Sequence, residues 1–212
     1  MHGATLRSVL LLAATATAAE AQNDCLKDLK MPAVGRWAEY KGSFDQKPYT
    51  LRYAVVGEET RDGAPMKWLE MRMVDDKKGE TMVYQMLTPG GPAEMDQVQE
   101  LVFKAGDKPA MRMGGAMMKM MRGAITKNSA LNNMCEGVTL EGKESVTVPA
   151  GTFQAARFHN SKHESDTWMV PDQPFNMVKT SSKKVEIALV KTGDGATSSI
   201  TETPQEMGGP KP

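Results

Sequence analysis

Short runs in which apolar and polar residues alternate, each closed by turn chemistry, recur along most of this chain and constrain its fold more than any other feature. Period two is the repeat of a half-buried strand, whose successive side chains point to opposite faces. Trp37 to Tyr40 opens the series, and Tyr49, Leu51, Tyr53 and Val55 alternate with Thr50, Arg52, Ala54 and Val56 before Arg61-Asp62-Gly63 turns the chain back. The most legible hairpin runs from Met66 to Val74, through Asp75 to Glu80, into Thr81 to Thr88. A symmetric loop there sets Leu69 against Met86, Met71 against Tyr84 and Met73 against Met82 on one apolar face. The other face carries Glu70, Arg72, Val83 and Gln85 and suits solvent.

After the break at Pro89 to Pro92, strands are expected at Val98 to Lys104 and Pro109 to Met113. Further strands are expected at Gly137 to Leu140, Glu144 to Val148, Thr152 to His159, His163 to Val170, Phe175 to Thr180, Val185 to Leu189 and Thr197 to Thr203. Nine to eleven strands with almost no room for helices predict a mainly β chain: one large curled antiparallel sheet or unclosed barrel. About 190 residues after removal of a leader favour a single domain, residues 22–204, followed by a Gly/Pro tail at 205–212 expected to be disordered.

The leader is residues 1–21. Arg7 supplies a positive charge, Val9 to Ala16 an apolar run, and Ala19-Glu20-Ala21 a small-residue cleavage site, which together form a secretory signal peptide. The apolar run is shorter than the roughly 20 residues of a membrane span, and nothing downstream supplies a transmembrane segment. A periplasmic or secreted protein is therefore expected. Cys25 and Cys135 are the only cysteines. In an oxidising compartment a disulfide between them is the simplest account, contributing roughly 4 to 5 kcal/mol at most on the loop-entropy argument. Lipid attachment at Cys25 is the alternative, although Gln22-Asn23-Asp24 is not a small apolar lipobox.

Lys and Arg together number 26, as do Asp and Glu, and the two signs are interleaved. No basic face for nucleic acid or anionic lipid follows from this distribution. Catalytic motifs are lacking too: there is no GxSxG elbow, HExxH, P-loop or GxGxxG, so no enzyme is expected. His159 and His163 flank the Asn160-Ser161-Lys162 turn, but the only other histidine, His2, leaves with the leader, and two histidines do not make a three-histidine zinc site. No cofactor is expected.

The segment Met111-Arg112-Met113-Gly114-Gly115-Ala116-Met117-Met118-Lys119-Met120-Met121-Arg122-Gly123 places six of the chain's 18 methionines in thirteen positions. Met113, Met117, Met120 and Met121 fall at i, i+4, i+7 and i+8, a helical stripe that Gly123 can stop. Three readings compete. Methionine fills irregular core gaps; its unbranched chain also suits an adaptable lid over an apolar ligand; and its thioether is a soft ligand for Cu(I). The lid reading pairs this stripe with Met71, Met73, Met82, Tyr84 and Met86 on the sheet beneath. The copper reading lacks any His, Cys or carboxylate in the cluster, and Arg112, Lys119 and Arg122 oppose a cation.

Val148-Pro149-Ala150-Gly151-Thr152-Phe153, the hairpin to Thr167-Trp168, and Pro174-Phe175-Asn176-Met177-Val178-Lys179 resemble the C-terminal part of LolA/LolB-like periplasmic proteins, the outer membrane lipoprotein-sorting-like group. The resemblance covers about the last third of the chain. It implies an unclosed antiparallel barrel whose hollow is covered by short helices and takes acyl chains, and no functional residue is carried over from it. The combined expectation is a monomeric exported protein that binds a lipid or other apolar small molecule, with an envelope protein as a further partner. The alternatives are a structural envelope module with a self-filled core and a copper(I)-binding protein.

Overall fold

The computed structural model describes residues 31–89, 97–115, 117–120 and 136–207. The expected signal sequence, Cys25, Cys135, Met121 and residues 208–212 lie outside the described residues, and with them the expected disulfide. Among the described residues twelve strands are formed: β1 (Trp37–Phe44), β2 (Lys47–Arg61), β3 (Ala64–Asp75), β4 (Thr81–Thr88), β5 (Glu100–Ala105), β6 (Met111–Met113), β7 (Val138–Val148), β8 (Gly151–Asn160), β9 (Ser165–Met169), β10 (Met177–Ser182), β11 (Val185–Gly193) and β12 (Gln205–Glu206). The chain is mainly β, as the alternation predicts, with one short helix after β6 whose described residues are 115 and 117–120.

All twelve strands belong to one unclosed sheet in the order β12-β6-β5-β4-β3-β2-β1-β11-β10-β9-β8-β7. Two meanders make it up. β1 to β6 run outward in one direction and β11 back to β7 in the other, each built of consecutive antiparallel hairpins. The first and last long strands form the seam between them, with Tyr40 opposite Leu189 and Phe44 opposite Val185. Arg36 adds an ion pair to Asp194 at 3.2 Å, and the Trp37 indole donates to the Asp194 carbonyl at 3.2 Å. The Trp37 ring lies so close over Gly193 that an added Cβ would meet it at 2.6 Å, so glycine is required there by contact.

Local chemistry accounts for the hairpins. Asp45 and Gln46 both have positive φ, as do Asp62 and Gly63, which gives the two-residue turns whose twist suits antiparallel strands. Asp75 accepts from the Lys77 and Lys78 backbone N–H groups at 2.8 and 2.9 Å and so shapes the β3–β4 turn. The same two bonds hold its carboxyl below the usual range.

Four expectations need correction. The sheet is mixed rather than wholly antiparallel, because β12 runs parallel to β6. Residues 205–207, expected to be disordered, form this pairing, with Gln205 N–H donating to Ala110 and Met207 N–H to Arg112, both at 2.8 Å. Phe175 is not in a strand: it and Asn176 have positive φ in the turn before β10, which brings Phe175 against Tyr53 at a centroid distance of 5.6 Å. Thr197 to Thr203 is likewise not a ladder strand but an irregular strap.

The main core gathers Tyr40, Leu51, Val146, Val148, Trp168, Val178 and Leu189, so residues from both meanders share one interior. The far meander curls to reach it, and the Ala150 N–H at the end of β7 donates to the Leu189 carbonyl of β11 at 3.1 Å. Tyr40, wholly buried, donates to the Met177 carbonyl at 3.1 Å. A second core lies under the strap, where Ile200 packs with Val83, Val102 and Ala110.

Candidate functional site: the methionine-rich sheet face

The strand registers assemble the methionines. Leu69 faces Met86, Met71 faces Tyr84 and Met73 faces Met82 across β3 and β4, as the symmetric hairpin requires. The rows continue in both directions. Leu101 lies opposite Met86 and Met113 opposite Leu101; Phe103 lies opposite Tyr84 and Met111 opposite Phe103. Toward the seam, Tyr53 pairs with Met71 and Leu51 with Met73. The result is an apolar grid reaching from β2 to β6. Leu101, Phe103 and Met111 belong to it although the methionine pattern did not single them out. The Leu101/Phe103/Ala105 alternation was the available signal.

The two ends of the grid are packed differently. Met71 and Met73 rest against the main core beside Tyr53 and Phe175, which is the packing role for methionine. Met82, Tyr84, Met86, Leu101, Phe103, Met111 and Met113 are all half-buried and none is fully enclosed.

The opposite face of the same strands reverses the sequence expectation. Glu70, Val83 and Gln85, on the face expected to meet solvent, are buried at 1%, 5% and 8% exposure, and of that set only Arg72 is exposed. The cause is the strap. The Ser199 N–H and the Gln85 amide both donate to Glu70 Oε2 at 2.8 Å, and the Gln85 amide also donates to the Ser198 hydroxyl at 2.6 Å. Glu70 and Gln85 are buried together with the apolar Val83, Leu87 and Val102, while the methionine-rich face keeps partial contact with solvent. Glu100 is buried on the strap side as well, with Arg112 Nε at 3.0 Å and Arg61 at 3.3 Å.

The helical stripe does not come out in the predicted phase. Met113 is a strand residue of β6, Met117 is half-buried, and the fully buried position is Met118. Met120 is 74% exposed, and Met121 lies outside the described residues. Of the nine methionine and tyrosine positions singled out, register therefore brings Met71, Met73, Met82, Tyr84, Met86 and Met113 together. The histidines do not form a pair. His159 Nδ1 is 3.1 Å from Asp166, directly across β8 and β9, and Arg157 shares that carboxylate at 3.1 Å. Among the described residues no three His, Cys, Asp or Glu side chains are grouped as metal ligands, and no helix is long and apolar enough to cross a membrane.

No family model matches the chain, and no curated protein matches it. Among solved structures it is similar to a "putative lipoprotein" of Parabacteroides distasonis, at 13% identity and a TM-score of 0.37, over 77% of this chain and 97% of that one. It is similar also to a "putative exported protein with YmcC-like fold" of Bacteroides fragilis, at 11% identity and the same TM-score, over 77% of this chain and 98% of that one. These comparisons leave the LolA/LolB resemblance on the motif residues that suggested it.

Proposed function

We propose that this is an exported, non-catalytic, monomeric binding protein of the periplasm or extracellular space that holds a lipid or other apolar molecule against the methionine-rich face of β3 to β6. One observation carries the reading: the strap side of these strands, where Val83, Leu87 and Val102 lie beside Glu70 and Gln85, is buried, while the methionine-rich face stays half-open. A purely structural sheet gains by covering its most apolar face, since burial of apolar area drives folding. Flat aromatic and unbranched thioether side chains, here Tyr84, Phe103, Met82, Met86 and Met113, can repack around chains of differing shape. Acyl chains laid on this face gain about 0.8 kcal/mol per methylene removed from water. The methionine-rich segment that follows β6 begins the connection from near one edge of the sheet to β7 at the other, and we assign it, through Met117 and Met120, as the cover of the bound molecule. Export rests on residues 1–21, and an envelope protein would receive or deliver the cargo.

Native mass spectrometry of the protein purified from a periplasm, with metal analysis of the same sample, tests this. Lipid-sized mass additions that are lost when Met82 and Met86 are both changed to Gln are the expected result. A bare mass would favour the self-filled structural module, and stoichiometric copper would move the methionines to metal binding.

A further inference from the structure

We propose that the strap-covered face carries a separate binding site for a phosphate group, built from Arg52, Arg72 and Lys104 with the Ser199 hydroxyl. The register makes the cluster. Arg52 lies directly opposite Arg72, Arg72 opposite Val83, and Val83 opposite Lys104, so three cations stand in one row across β2 to β5. Like charges placed directly opposite one another destabilise a sheet, and the Arg52–Arg72 pair has no residue between its members to relieve it. A cleft of about 370 Å³ opens at this row, lined by Arg52, Arg72, Thr81, Val83, Lys104 and Ser199.

Glu202 and Glu39 are already engaged, and Glu70, held to the Ser199 N–H through Oε2, keeps its buried Oε1 without a hydrogen-bond partner. Glu202 is bound to Lys104 Nζ at 2.5 Å. Glu39, opposite Arg52 on β1, pairs with Lys191 at 3.3 Å. Arg52 itself lies over the Trp37 ring at 4.8 Å, a contact that holds the guanidinium without neutralising it. Among the described residues neither Arg52 nor Arg72 has an ion-pair partner, so the cleft keeps an uncompensated positive charge in a chain whose net charge is zero. The Ser199 backbone is fixed in place. Glu70 accepts from the Ser199 N–H at 2.8 Å, and Ile200 anchors the next residue in the second core. Two planar guanidinium forks lining one cleft, with the Glu202-paired Lys104 ammonium and Ser199 beside them, suit a compact anion with several oxygens. The site lies on the face opposite the methionine grid and does not depend on the function assigned there.

Titration with inorganic phosphate at constant ionic strength, followed by the arginine Nε–Hε signals in NMR, tests the assignment. Saturable shifts at Arg52 and Arg72 are expected, with R72Q weakening binding at least about tenfold, the loss of roughly one charge-assisted interaction. Arg72 is exposed, so R72Q should melt like the parent chain. Co-sedimentation with phosphatidylglycerol vesicles then separates the sources of the phosphate. Capture of the parent chain but not of R72Q identifies a lipid headgroup. Saturable phosphate binding with no capture identifies a soluble phosphorylated molecule. Shifts that do not saturate, or that persist undiminished in both folded R52Q and folded R72Q, overturn the site.

Discussion

Tyr40 shows how one buried polar atom ties the two meanders together. It sits at the seam, edge-on to Tyr53 with ring centroids 6.0 Å apart, and its hydroxyl reaches the Met177 carbonyl on the far side. Burial, and secondarily Tyr53, push its phenol well above the usual 10.0. A group whose acid form is favoured in the folded state contributes stability that is fully present below its unfolded value and is lost as pH rises beyond it. Resistance to thermal unfolding should therefore fall as pH rises above about 10. Y40F should cost about 1 kcal/mol at neutral pH, the net value of one hydrogen bond. It should also flatten part of the alkaline loss, which melting curves across that pH range would measure; an unchanged alkaline slope would remove Tyr40 from this role. Sequence reading could place Tyr40 at the end of an apolar run, but its partner lies 137 residues away.

The strands and the strap divide what was legible from what was not. The β3–β4 hairpin could be read down to its residue pairs because Asp75 to Gly79 fix the turn and period two fixes the faces. Alternation says which residues share a face; it does not say which face will be covered. That was decided by residues 196–204, more than a hundred positions away, whose Ser198, Ser199 and Ile200 bring polar and apolar groups matched to Gln85, Glu70 and Val83. The helix failed for a related reason, since methionines at 117, 118, 120 and 121 fit more than one phase and packing selected Met118 as the inward position. The joined strand β7 was read as two because Gly142, with φ of 126°, makes a bulge that interrupts the alternation. If the strap is a structural seal, I200A should destabilise the protein by about 2 to 4 kcal/mol, as truncation of a buried aliphatic side chain does. Hydrogen exchange should then quicken first in β4 and β5, and equal loss of protection in β8 and β9 would mean that the strap has no local role.

At the scale of the molecule, the sheet has two halves held by more than the seam. The chain returns after β11 to the first meander, where Ile200 fills the second core and β12 pairs with β6, so the last residues of one half are built into the other. Lys104–Glu202 at 2.5 Å and Arg112–Glu206 at 4.0 Å add bridges across the same junction. A protease site engineered within residues 121–134 should therefore yield, once cut and with any Cys25–Cys135 disulfide reduced, two pieces that still co-migrate on native size exclusion and melt together. Separation without denaturant would show that the covalent link, rather than the seam and strap, holds the halves.

The pairing of β1 with β11 also sets the order in which the protein can come into being. Its N-terminal meander is complete once β6 has emerged, yet β1 then presents an open edge in the middle of the future sheet, and such edges recruit other chains. That edge closes only when residues 185–193 arrive, after nearly the whole polypeptide has been made. Contacts of such long sequence separation form slowly. The vulnerable period in this protein's life is thus its biogenesis, when the first half is finished and still has no neighbour.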